Sequence, residues 1–308
     1  MQLKNGIIIR DITLHSEMRE VETLQKDVWQ SDDREVVPLN ILAATREVGA
    51  ILLGAFHGSE LVGFAYSFVG RENESLIHHS HMLAVKPSHR KLNLGYQLKL
   101  AQRERALTQG IDRMTWTFDP LQSLNAHFNF AKLGVVADTY RVNFYGEATS
   151  SPLLQIGSDT DRLWVTWLLD SRRVLERLKE RDSGRVSTLE LGSISRLVQV
   201  GPNNTPKARA LSREPEQKYL TIEIPSDINS LQLESPQLAL KWREETRRAF
   251  SEAISAEYIV EDFYSSSRND CPVGVYLLSR GRINKSSEAS LGTVSPPDSF
   301  EPADHEPF

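Results

Sequence analysis

The chain has a single cysteine, Cys271, among 308 residues. No intrachain disulfide can form, and this usage fits a reducing compartment such as the cytoplasm. Long apolar runs are missing as well. The longest, Val48 to Phe56, is far too short to span a bilayer, so no membrane partner is expected. The N-terminus has no basic-then-apolar leader pattern. A surplus of basic charge is also lacking: Lys and Arg number 36 against 41 acids, giving a net charge of −5. With no overall basicity and no interleaved aromatics, a nucleic-acid partner is not expected. His78, His79 and His81 sit close in sequence but have no Cys or Asp companions at ligand spacing, so no metal is expected. Cys271 is too isolated to read as a nucleophile.

What is present is ordinary for a globular chain: 40% hydrophobic and 25% charged residues, long enough for one large domain or two smaller ones. Charge is unevenly placed. From Arg90 to Arg113 six Lys/Arg face two acids, while Gly281 to Phe308 carries two bases and five acids. A local basic patch suits a small phosphorylated molecule.

That patch lies in the most informative stretch, Val85 to Gly110. An apolar strand enters at Met82 to Val85. Pro87 and a basic turn follow, then Leu94, Leu98 and Ala101 repeat at helical spacing. This reads as strand, tight turn and helix. The first N–H groups of such a helix lack intrahelical partners, and the dipole favours an anion there. Gly95 lets a phosphate approach the backbone, and Asn93 tolerates the left-handed conformation. The expectation is a pyrophosphate held on the amides of Lys91, Leu92, Asn93, Leu94 and Gly95, with Arg90 and Lys91 near its oxygens.

Around it the chain reads as a first strand at Ile7–Ile9, a helix from Ser16 to Trp29, and a short helix from Pro38 to Arg46. Strands follow at Ala50–Phe56, Leu61–Val69 and Leu76–Val85. After Gly110 come a strand at Met114–Phe118 and a helix with Leu124, Phe128 and Ala131 on one face, closed by Gly134. Two strands, Val135–Tyr145 and Arg162–Leu169, complete this half.

The loop Arg90-x-x-Asn93-x-Gly95 after Leu83-Ala84-Val85 resembles the acyl-CoA loop of the GNAT superfamily of N-acyltransferases, with Asn93 in place of that family's first loop glycine. The order of elements from residue 7 to 170 is similar to the same fold, an α/β (α+β) mixed sheet flanked by helices. Ser80 to Val85, Trp116 to Leu121 and Lys132-Leu133-Gly134, with Val28-Trp29 and Val36-Val37-Pro38, resemble a bacterial subfamily of acetyltransferases. The resemblance implies acetyl-CoA (coenzyme A) as cofactor, bound between two splayed strands. It implies main-chain contacts from Leu83 and Val85, a side-chain contact from Asn125, and a place for Lys132 in the helix that follows. Phe130 occupies the position of the family's thiolate-protonating tyrosine, and phenylalanine cannot serve that role.

An amine must lose a proton to attack a thioester. His81 is the leading base, read as sharing a strand face with His79, Leu83 and Val85. Asp119, at the end of the next strand, is placed to hold an amine or orient His81. Tyr140 and Tyr145 are candidate replacements for the missing acid, and Asp32 and Asp33 could attract a cationic substrate. The expected activity is acetyl transfer to a small-molecule or peptide amine by direct attack; the alternative is a CoA-binding module without catalysis. A homodimer is possible.

Beyond residue 170 the pattern gives a charged helix and linker (171–215), then β-α-β-β over 216–280, a smaller α/β extension. This order repeats Met114–Leu169, so a degenerate half-repeat and an unrelated extension both stand. Residues 281–308, rich in Ser, Pro and Glu, read as a disordered tail.

Overall fold

The computed structural model describes residues 1–283, apart from 4, 31, 147–159, 180–193, 212–216 and 269–270. The expected tail and most of the Ser150–Thr160 loop therefore lie outside the described residues.

Strand β1 (Ile7–Asp11) leads into helix α1 (His15–Trp29) and helix α2 (Leu39–Glu47). Met18, Val21 and Leu24 recur every three residues along α1 and are fully or nearly buried, which fixes the face that meets the sheet. Next come β2 (Ile51–His57), β3 (Glu60–Glu72) and β4 (Ser75–Val85), an antiparallel meander. A short 3-10 turn (Pro87–Leu92) carries β4 into α3 (Leu94–Thr108). β5 (Arg113–Phe118), α4 (Ser123–Ala126) and a π-helical continuation (His127–Leu133) lead to β6 (Val136–Arg141) and β7 (Arg162–Leu168). The strands lie in the order β1-β2-β3-β4-β5-β7-β6. α1 and α2 pack on one face of this sheet. α3 and the α4 region pack on the other.

Two details differ from the sequence reading. The strand expected to run to Tyr145 stops at Arg141. In the α4 region Leu124 is 85% exposed, while Ala126, Asn129, Phe130 and Leu133 are buried. The inward face is therefore turned from the Leu124-Phe128-Ala131 line, because the segment passes into a wider π turn. Gly134, at φ +74, ends it in the left-handed conformation that glycine adopts without strain.

The second half continues from the β6 edge. After α5 (Arg172–Lys179) come β8 (Ser195–Val200), β9 (Pro206–Ala208), β10 (Tyr219–Pro225), α6 (Ile228–Glu234), α7 (Pro236–Ser255), β11 (Tyr258–Arg268) and β12 (Cys271–Arg280). The stretch expected as linker thus supplies two strands. Its Gly201–Thr205 portion is a turn between them. The strand order goes on as β6-β11-β12-β10-β8-β9, through one bridge, Ala137 to Val260. A single apolar core runs through both halves, from Trp116 and Phe130 to Tyr276, Phe250 and Trp242.

Candidate active site

β4 and β5 run parallel but pair at only two positions, His78 with Met114 and His79 with Thr115. Beyond them the strands part, leaving a fork between Ser80–Val85 and Trp116–Phe118. On its other side β4 stays paired with β3, and that pairing fixes where its backbone points. Lys86 N–H donates to Val62 carbonyl across the strands at 2.9 Å. Hydrogen-bonded positions alternate in an antiparallel ladder. Leu83 and Val85, opposite Ala65 and Gly63, therefore turn their N–H and C=O groups away from β3 and into the fork.

The register of β3 and β4 shifts between Tyr66 and Ser67, leaving His81 as an extra residue in β4. This bulge resets the alternation of faces. His78 and Ser80 face α3, bonding Gln109 and Gln102, and Leu83 and Val85 pack on the same side. His79, His81, Met82 and Ala84 face the α1/α2 side. The expectation that His81 shares a face with Leu83 is thus corrected: strict alternation fails at a bulge. His81 lies on one side of the fork, and the side chains of Leu83 and Val85 lie on the other.

At the mouth of the fork, Asn93 adopts the left-handed conformation (φ 57, ψ 25) and makes no side-chain cap bond to α3. The first amides of α3 keep their donors free of helical partners. Leu94 is fully buried and anchors the helix. Lys91, Leu92 and Asn93 are exposed. A Cβ on Gly95 would meet only Leu83 Cδ2, at 3.7 Å, so the site of approach is open. Arg90 Nε reaches back to the Val85 carbonyl at 3.4 Å. Asn125 and Lys132 are exposed on the α4 segment. These donors and this opening fit an anionic cofactor with a long arm.

The remaining basic residues of the stretch lie elsewhere. Arg105 pairs with Asp11, Arg113 with Glu72, and Arg103 donates to the Leu169 carbonyl. Lys99 is 2% exposed and donates from Nζ to Ser80 Oγ at 2.7 Å, above the Trp116 ring. Burial pushes its pKa well below the usual value. The surface patch thus reduces to Arg90 and Lys91. Lys99, Ser80 and Gln102 form a buried polar cluster at the apex of the fork that sequence reading missed. A lysine in a basic run gives no sign that it points inward.

The titratable groups divide sharply. His81 has no hydrogen-bond partner among the described residues. One side of it meets solvent, while Tyr66 and Phe68 crowd the ring. Lost hydration lowers its pKa below 6.5, leaving it neutral at neutral pH. His79 lies against Trp164 and bonds Thr115 Oγ1; burial, with His81 and Lys99 nearby, lowers it to about 4.

Asp119 is bound at both oxygens by Arg243 of α7, at 2.6 and 2.7 Å. Burial opposes its ionisation, but Arg243 holds the carboxylate below its usual range. Tyr140 stacks on Phe250 and donates to Asp161 at 2.8 Å; burial and Asp161 raise it well above 10. The structure therefore does not bring Asp119 or Tyr140 together with His81. Both bind the first half to α7. Tyr145 is the hydroxyl on the fork face, 3.2 Å from Thr117 Oγ1. Phe130 is fully buried between Phe118 and Tyr276.

A mixed sheet opened into a fork, with an uncapped helix at its mouth, leaves main-chain donors facing an open cleft. Residues 14–135 match the model of the acetyltransferase (GNAT) family. This stretch, less than half of the chain, is similar to that family of acetyltransferases. Solved structures that resemble the chain include three acetyltransferases. An aminoglycoside 6'-N-acetyltransferase from Enterococcus faecium is 17% identical over 54% of this chain and 98% of its own, with a TM-score of 0.41. The ribosomal-protein-S18-alanine N-acetyltransferase from Escherichia coli is 12% identical over 53% and 94%, at 0.42. A GNAT acetyltransferase from Elizabethkingia anophelis with acetyl-CoA bound is 16% identical over 54% and 99%, at 0.40. No curated protein matches the sequence. Among the described residues, no helix is long and apolar enough to cross a membrane.

Proposed function

We propose that the protein acetylates an amine by direct attack, with acetyl donor and acceptor held together at the fork. One observation carries this reading. β4 and β5 separate after His79 and Thr115, just where the backbone of Leu83 and Val85 turns into the opening. Acetyl-CoA, when bound, supplies an activated thioester carbonyl. The Leu83 N–H is placed to stabilise negative charge on an oxygen in the fork, as a fixed donor that needs no reorganisation. The amides of Lys91 to Gly95, with Arg90 and Lys91, hold the pyrophosphate. Asn125 and Lys132 serve the outer edge of that site. His81, neutral and without a partner, takes the proton of the amine. Tyr145, on the same face, is the hydroxyl available to protonate the departing sulfur. Asp119 and Tyr140 position the strands rather than act on substrate. The acceptor is a small-molecule or peptide amine.

Calorimetry with acetyl-CoA and thiol release over a panel of amines test this. Saturable binding and amine-dependent release are expected. Binding with no release from any amine would leave a non-catalytic acyl-CoA module. No binding at all would remove the reading.

A further inference from the structure

The α1/α2 side of the fork carries a band of rings. His81 lies 5.9 Å from Phe68, Phe68 lies 5.5 Å from His79, and His79 lies 4.9 Å from Trp164. Trp164 meets Phe144 at 6.0 Å, and Phe144 meets Tyr145 at 4.7 Å. The band therefore crosses from β4 to β7 over the point where β4 and β5 part. Its outer members are open: Phe144 is 39% exposed and Tyr145 is 45% exposed. Side chains of this size are normally covered, and a run of them beside a reactive opening marks a binding surface.

The band also lacks negative charge. Among the described residues, no carboxylate contributes to the lowered pKa of His79 or His81. Asp161, just before β7, is fully buried and bound by Arg247, Tyr140 and the Asn143 amide. Both histidines are held neutral by loss of hydration. Among the described residues of the band, a polycationic acceptor would find no carboxylate to pair its ammonium groups. A flat apolar body would find ring faces on which to stack. An amine brought onto such a surface loses hydration, which favours its neutral, nucleophilic form.

We infer that the acceptor is a primary amine carried on an aromatic body, packed against the edges and faces of Phe68, His79, Trp164 and Phe144 with its nitrogen toward His81. This inference rests on the acyl-transfer reading for its reaction but not for its binding surface. The test compares 2-phenylethylamine and tryptamine with butylamine and kanamycin. Binding is measured by calorimetry on the full chain with CoA present, and turnover by thiol release from acetyl-CoA. The aromatic amines should bind at least tenfold tighter than butylamine and show at least tenfold higher kcat/KM. Phe144→Ala and Trp164→Ala should each shrink that ratio severalfold. Phe144 lies at the rim, so its variant remains informative if the Trp164 variant fails to fold. Equal binding of butylamine, or a preference for kanamycin, would overturn the inference while leaving acetyl transfer in place. If acetyl-CoA itself does not bind, the acyl-transfer reading falls, and the amine calorimetry run without CoA still decides the surface.

Discussion

Gly95, His81, His79 and Phe130 each allow a test that separates chemistry from folding. Gly95 has space for a methyl group, so Gly95→Ala should leave the thermal midpoint unchanged or slightly raised. It should weaken acetyl-CoA binding, because the added Cβ stands where the phosphate must meet the backbone. His81→Gln should lower kcat by about 100-fold, the scale of a lost general base. In the parent protein the acid limb of kcat/KM should fall below pH 6.5, since the pKa of His81 is lowered from that value. The variant should lose that limb.

His79 gives a stability prediction. Its pKa is 6.5 in the unfolded chain and about 4 in the fold. Between those values the unfolded chain binds a proton that the folded one does not, so stability falls as pH drops. The loss from pH 7 to pH 5 should be about 2 kcal/mol, reduced in His79→Gln and read from denaturant midpoints. Phe130→Tyr should not supply the missing acid. Its hydroxyl would enter the packing between Phe118 and Tyr276 and cost about 1–3 kcal/mol if left without a partner.

At the scale of elements, α7 is the piece that reaches back. Arg243→Met would leave the Asp119 carboxylate buried with its main partner gone, at a cost of about 3–5 kcal/mol. Thermal melts of Arg243→Met and of the double variant with Asp119→Asn check this, and the double variant should recover part of the loss. The same pair shows what sequence reading can and cannot reach. Periodicity placed α1, α3, β2 to β5 and the αL residue Asn93 to within a few positions, because those features are local. The role of Asp119 was not legible, since its partner lies 124 residues away. Nor was the bulge at His81, which moves the imidazole from one face to the other without any signature in residue type. Adjacent Leu197 and Val198 break the alternation in Ser195–Val200 and hid β8, which is held by parallel pairing with β10.

At the scale of the molecule, the common core predicts one cooperative unfolding transition for both halves, with far-UV and tryptophan signals coinciding. Two separate transitions would show that the halves are independent. We propose that the second half is a degenerate repeat. β10, the α6/α7 pair, β11 and β12 follow the chain and spatial order of β5, α4, β6 and β7, and the two sets meet edge to edge in opposite directions. At Ala137 the β6 edge that an incoming copy of the protein would grip is thus already taken by Val260 of β11. On that edge the chain carries within itself the companion that a second copy would otherwise supply.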